Sequence, residues 1–316
     1  MPEHTGVHFL QSPHWAKAQE ALGRTVYQRS GSGWQYLAIV ERGRLGSRLY
    51  CPYGPVITTS QNPEAALAMS ITDLKALAKR EKVDFLRIEP TGAVSAEGVI
   101  ALGGKKAARD VQPATTIVNR LDLSEEELLN QVSASAKRNW RKGIKNSVSF
   151  RVSKDPGDIE IFITHINDVA KRTGMRPHSD NYFRQVASAI VPQAGGFLLA
   201  EHDGKPIGSI FYYEANGEML HAHAASLSSA RNLSPAYGLA IEALLLAQRH
   251  GNTIFDFYGA APTGAPADHP WAGFTDFKIR FGGEFLTRIG TWEIPVNNLR
   301  YRFYCSGLKF YSKLKA

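Results

Sequence analysis

Strand-like and helix-like segments run through a similar order twice in this 316-residue chain, which suggests two α/β (α+β) domains of similar design. In the first half, Gln35-Tyr36-Leu37-Ala38-Ile39-Val40 and Ser47-Arg48-Leu49-Tyr50 read as strands, with Glu41-Arg42-Gly43-Arg44 as the turn between them. Asn62-Pro63-Glu64 then opens a helix, with proline in the first turn, where no N–H is required. Leu67, Ile71, Leu74 and Ala78 give that helix one apolar face as far as about Lys82. A buried-type strand, Asp84 to Glu89, stops at Pro90. Thr115 to Leu123 reads as another strand, and Ser124-Glu125-Glu126-Glu127 starts a helix with a Ser cap and a Glu at its third position.

That helix is expected to end in the run 137–145, where five of nine residues are basic, and there the series restarts. Val148 to Val152 is a strand, and helices are expected over 157–172 and 180–191. Gly196–Glu201 and Ile207–Glu214 form a hairpin over Asp203-Gly204-Lys205-Pro206. Asn216-Gly217 is a strong turn signal before a strand from Met219 to Ala225. A helix over about 236–250 and a strand over 253–258 complete the set. The join between the halves is expected near residues 145–150.

A net charge of +8 favours anionic partners without choosing among nucleic acid, nucleotide-linked substrates and acidic lipid surfaces. No stretch approaches the roughly 18 consecutive apolar residues of a membrane span. The opening MPEHTGVHFLQSPHW lacks a basic run followed by an apolar one, so the expected location is the cytoplasm. The last stretch, 297–316, has no acidic residue and carries Arg300, Arg302, Lys309, Lys313 and Lys315 among Tyr301, Phe303, Tyr304, Phe310 and Tyr311. It reads either as a helix packed on the body of the protein or as a peripheral contact with the inner membrane face. Cys51 and Cys305 are far apart and form no CxxC pair, which fits reduced structural thiols. His221 and His223 share a strand face, but no third ligand is evident beside them, so no metal is expected.

Several segments stand in order along nearly the whole chain: Gln11-Ser12-Pro13-His14-Trp15-Ala16-Lys17, Tyr50-Cys51-Pro52-Tyr53-Gly54-Pro55-Val56, Leu86-Arg87-Ile88-Glu89-Pro90, Leu121-Asp122-Leu123, Arg138-Asn139-Trp140-Arg141-Lys142, Arg176-Pro177 before Tyr182-Phe183, Phe255-Asp256-Phe257-Tyr258-Gly259, and Phe274-Thr275-Asp276-Phe277-Lys278-Ile279-Arg280-Phe281-Gly282-Gly283. Together they resemble the Fem family of non-ribosomal peptidyltransferases, which build the cross-bridge of bacterial peptidoglycan. The resemblance implies two tandem domains of the GNAT (N-acyltransferase) fold, with mixed central sheets flanked by helices. Residues 1–147, completed by 291–316, would form the first domain, and 148–290 the second. No stretch has room for the coiled-coil arm of some relatives, so the chain resembles the compact branch.

The implied reaction is aminolysis of an ester: the stem-peptide amine of lipid II or UDP-MurNAc-pentapeptide attacks the ester of an aminoacyl-tRNA. Negative charge develops on the former carbonyl oxygen, and a fixed cation there stabilises the transition state more than the ground state. Lys278 matches the family's Phe-Lys pair and is the candidate cation, with Phe277 shaping the acyl pocket. By the same resemblance Lys17 and Arg176 would hold the precursor phosphates, Tyr182 and Tyr237 would add hydroxyl donors, and Glu89 would contact the precursor. The basic run offers Arg138, Arg141 and Lys142 to tRNA phosphates, and Trp140 as a stacking platform; its other reading is a solvated helix face. GNAT enzymes bind acetyl-CoA with a glycine-rich run before a helix. Here Arg231-Asn232-Leu233-Ser234-Pro235-Ala236 puts Ser in place of the key Gly and Pro in place of an amide donor, which argues against CoA. No cofactor is expected. The competing readings are an N-acyltransferase with another activated donor such as acyl-CoA, and a non-catalytic relative that binds precursor or tRNA.

Overall fold

The computed structural model describes residues 6–59 and 61–313, with side chains described up to residue 308. The side chains of Lys309, Phe310, Tyr311 and Lys313, and all of Lys315, lie outside the described residues. The chain divides into two compact units, one of residues 1–114 and 288–316 and the other of Thr115–Thr287.

In the first unit, α1 (Pro13–Ala21) starts on the Ser12 side chain, which caps the Trp15 amide. Strands β1 (Val26–Gly31), β2 (Trp34–Gly43) and β3 (Gly46–Cys51) form an antiparallel meander. After the short β4 (Val56–Ile57), Asn62 caps α2 (Pro63–Arg80), whose apolar face meets the sheet. The helix carries the chain back to β5 (Phe85–Ile88), parallel to β3. Strand β6 (Thr91–Gly92), helix α3 (Ala96–Ala101) and strand β7 (Lys105–Lys106) follow.

The second unit begins with β8 (Thr115–Arg120), followed by α4 (Glu125–Gln131) and α5 (Ala134–Lys145). Next come β9 (Ser149–Ser153), α6 (Ile159–Thr173) and α7 (Asp180–Ile190). Strands β10 (Gly195–His202), β11 (Lys205–Ala215) and β12 (Glu218–Ser226) form the meander. Its turns, Asp203-Gly204 and Asn216-Gly217, have positive φ at both residues, the conformation that suits a tight hairpin. Helix α8 (Pro235–Arg249) crosses to β13 (Ile254–Asp256), parallel to β12. Helix α9 (Ala272–Lys278) and strand β14 (Glu284–Thr287) close the unit, with sheet order β14-β8-β13-β12-β11-β10-β9. The chain then returns to the first unit as β15 (Trp292–Pro295), antiparallel to β5, and α10 (Asn298–Lys313).

Three expectations are corrected. The boundary lies at residues 114–115, because β8 pairs with β13 (Arg120 with Ile254, Val118 with Asp256) and so belongs wholly to the second sheet. The single helix expected from Ser124 to Lys145 is two, because Val132 adopts an extended conformation and Ser133 starts a new cap on the Ala136 amide. Glu89 is turned inward and is 3% exposed. Its carboxylate accepts from the Tyr50 hydroxyl (3.1 Å), the Tyr53 amide (3.1 Å), the Gln112 amide (2.8 Å) and the Thr291 hydroxyl (2.6 Å). Burial still raises its pKa, against the lowering effect of those four bonds.

All four partners of Glu89 donate, so an amide at this position would point its NH2 group at two of them. Glu89→Gln should destabilise the first unit by about 3 kcal/mol, the scale of lost hydrogen bonds to a buried charge. Denaturant melts followed by circular dichroism measure this; an unchanged midpoint would remove the structural role given to Glu89.

Candidate active site

The second sheet comes apart at one point. Strands β12 and β13 pair only from Glu218 with Ile254 to Leu220 with Asp256. Beyond that, β12 stays with β11, while the chain after β13 follows β8 through Phe257 N–H to Ile117 O (2.9 Å) and Ala260 N–H to Thr115 O (2.8 Å). A fork at the carboxyl ends of two parallel strands is where open α/β sheets hold ligands.

Asp256, fully buried at the end of β13, shapes one arm of the fork. Its Oδ1 accepts the Tyr258 amide (2.6 Å) and the Thr116 hydroxyl. The loop it ties down holds Tyr258 at φ +59°, a left-handed conformation that few non-glycine residues adopt. With that bend in place, the carbonyls of Tyr258 and Gly259 both receive the Lys278 ammonium, at 2.9 and 2.6 Å. Thr275 fixes the register of α9 to the same loop: its hydroxyl donates to Trp271 O (2.9 Å) and accepts the Ala261 amide (2.8 Å). Lys278 is held at both ends, by its helix and by its nitrogen.

Burial brings the Lys278 pKa down to about 8, with the charge of Asp256 opposing the shift. At pH 7 the ammonium form still leads by about tenfold. The group is therefore a positioned cation. Phe277 packs beside it, edge-on to Tyr237 (5.2 Å between ring centres) and to Phe281 (4.9 Å), so Tyr237 in the first turn of α8 and Phe277 share one aromatic wall.

The other arm of the fork is β12. Burial, followed by the nearby Lys278 charge, lowers His221 to about 3, and burial with His178 nearby does the same for His223. Both imidazoles are neutral at pH 7. His223 Nε2 lies 3.0 Å from the Tyr213 hydroxyl, whose pKa is pushed well up by burial and by Tyr182 and Tyr258, so it remains a donor. His178 stacks on Tyr182 at 4.1 Å and places its ring centre 6.4 Å from that of His223. Arg176 is exposed two residues before His178, in the loop leading to α7. The second unit thus brings Phe277, Lys278 and Tyr237 into one group, while Tyr182 stands with His178 near His223, on the same face of β12 as His221.

The remaining candidates lie on other elements. Lys17 is exposed on α1, and Glu89 is buried as described, both in the first unit. On α5, Arg138, Arg141 and Lys142 are exposed. Trp140 is corrected as a stacking platform: its ring packs on the core and its indole N–H donates to Glu242 (3.2 Å). Sequence reading assigned no role to His221 beyond a discarded metal site, and none to Asp256 and Tyr258. The signal available was an Asp two residues before an aromatic and a Gly, a pattern that caps a turn.

Residues 193–306 match the FemAB family model. The crystal structure of FemX superposes with a TM-score of 0.83 at 17% identity, covering 94% of each chain. Both agree with the resemblance to the Fem family read from the sequence. The FemAB stretch contains the fork, Tyr237, Phe277 and Lys278. L-PGS from Bacillus licheniformis (TM-score 0.56, 10% identity, 94% of this chain and 96% of that one) has the same fold. So does a tandem GNAT protein from the clavulanic acid biosynthesis pathway (TM-score 0.53, 16% identity, 86% and 83%). No curated protein matches the chain. The mixed sheets flanked by helices are therefore of the tandem GNAT kind.

The depressed histidines fix a sign for stability. Between about pH 6.5 and pH 3 the unfolded chain binds protons at His221 and His223 that the folded chain refuses. Stability should fall as pH drops through that window, and His221→Gln should flatten the dependence. Thermal melts from pH 7 to pH 4 measure it; identical slopes for the two proteins would contradict the burial argument.

Proposed function

We propose that this chain is an aminoacyltransferase that moves an amino acid from aminoacyl-tRNA to the stem-peptide amine of a peptidoglycan precursor, lipid II or UDP-MurNAc-pentapeptide, as in interpeptide bridge formation. The observation that carries this reading is the Lys278 ammonium, held by two carbonyls at the mouth of the β12–β13 fork. The neutral amine attacks the ester carbonyl carbon, and the C–N bond forms as the carbonyl electrons move to oxygen. Lys278 faces that oxyanion. Collapse breaks the ester C–O bond, and the leaving ribose oxygen takes the proton that the new nitrogen sheds. His221, lowered to about 3, is too weak a base to keep that proton. Phe277 and Tyr237 form the wall against which the aminoacyl group lies.

An aminoacyl ester as donor is favoured over acyl-CoA by the start of α8. Ser234 is left-handed (φ +53°) with no side-chain cap, and Pro235 follows without an N–H. The amide cradle that holds a pyrophosphate at a helix start is depleted there. Lys17, Arg176 and Tyr182 are assigned to the precursor phosphates, for which fixed charge and hydroxyl donors are suited. Arg138, Arg141 and Lys142 are assigned to the tRNA backbone.

Lys278→Met should lower the rate of transfer from charged tRNA by about 100-fold or more while precursor binding persists. In the wild-type protein the rate should climb with pH as the attacking amine loses its proton and then level off above about 8, where Lys278 loses its charge, whereas Lys278→Arg should keep climbing. A near-normal rate for Lys278→Met would sink the assignment. For the tRNA patch, replacing Arg141 and Lys142 with Gln should reduce the log–log salt slope of tRNA binding by about 2, near 0.9 per phosphate contact. An unchanged slope would make α5 a merely solvated face.

A further inference from the structure

The outward face of α10 carries large exposed apolar side chains. Tyr301 and Tyr304 point inward and pack on Phe85, with ring centres at 5.3 and 4.7 Å. That seating turns Leu299 and Phe303 outward, one helical turn apart, and they are 65% and 69% exposed. Gly307, the next position in the row, has no side chain of its own. A Cβ there would lie 3.2 Å from Leu45 Cδ2, so Leu45 rests on the bare backbone and takes the third place. Leu45 is itself 49% exposed, at the tip of the β2–β3 hairpin. Two segments some 255 residues apart in sequence thus build one apolar row, on the order of three helical turns long.

Cations surround this row. Arg42 and Arg44 are exposed at the hairpin tip, and Arg300 and Arg302 on the helix. Lys105 lies 5.4 Å over the Tyr301 ring. The carboxylates packed behind these elements are engaged inward. Asp84 accepts from Ser47 N–H and its hydroxyl and lies 3.5 Å from Arg300, and Glu293 is buried against Arg87 and Tyr301. An outer row of large apolar side chains with arginines along both sides, and no acid in residues 297–316, complements an anionic lipid surface: the apolar groups enter the acyl boundary while the guanidinium groups reach the headgroups.

We infer that the face made by Leu45, Leu299 and Phe303, rimmed by Arg44 and Arg302, docks the protein on an anionic bilayer surface. The docking is peripheral, since among the described residues no helix is long and apolar enough to cross a membrane. It stands apart from the chemistry assigned to Lys278 and needs no substrate.

The test is flotation of the full chain with phosphatidylcholine vesicles, alone or mixed with phosphatidylglycerol. The chain should float with the mixed vesicles and bind the neutral ones about tenfold more weakly or worse. Leu299→Ser combined with Phe303→Ser should abolish flotation with no loss of thermal stability, because both side chains are outside the core. Arg44→Gln with Arg302→Gln should weaken binding about 25-fold, at about fivefold for each charge near the surface. Phe303→Trp should keep it. No flotation with anionic vesicles, or wild-type flotation of the double Ser variant, overturns the inference. So does a dimer in sedimentation that the Ser variant dissolves when vesicles do not bind, since the row would then be an interface between two copies.

Discussion

The Lys278 ammonium between two backbone carbonyls is the contact on which the second unit's site depends. Carbonyl oxygens are attractive partners for a cation, but they do not converge on one point in a regular strand. They do so here because Asp256 draws the Tyr258 amide back onto its own side chain and bends the chain into a left-handed residue. The strain at Tyr258 is on the order of 1 kcal/mol or more, smaller than the two charge-assisted bonds that the bend makes possible. Burial removes part of the solvation that would otherwise spread the charge, and the result is a lysine near pKa 8 with a fixed direction. The same field keeps His221 neutral, so the fork contains one cation beside uncharged rings.

The two units follow one plan with opposite outcomes at the matching place. In the first unit, the chains leaving β3 and β5 stay joined: the Glu89 amide donates to Gly54 O, and its carboxylate gathers four donors. In the second, the carboxylate at the end of β13 pulls the chain to its own side, and the strands part. A carboxylate following a parallel strand closes one sheet and opens the other. Which occurs depends on the donors within its reach, and residue type alone does not reveal it.

This explains what could be read without coordinates. Local signals held: the Asn62 cap of α2, the capping box at Ser124 and Glu127, and the Asn216-Gly217 turn all act within a few residues. Long-range pairing was the weak point. Thr115–Arg120 reads as a strand from its β-branched residues, but its partner is β13, more than 130 residues later, and the boundary was misplaced as a result. Trp140 looked like a surface aromatic within a basic run, yet its ring packs on the core of the second unit and Glu242 receives its indole N–H. The family segments single out Phe277 and Lys278 as candidates, but the two carbonyls that give the lysine its direction could not be read there, because backbone groups leave no mark in a side-chain pattern.

The central claim joins a donor, an acceptor and a single fixed cation. It is tested most directly by weighing the precursor after incubation with a mixture of charged tRNAs, using lipid-linked and UDP-linked forms in separate reactions. The account predicts a mass gain of one aminoacyl residue on the stem-peptide amine, dependent on charged tRNA and on Lys278. A precursor of unchanged mass in both reactions, or an acyl group delivered from acyl-CoA in their place, would contradict it.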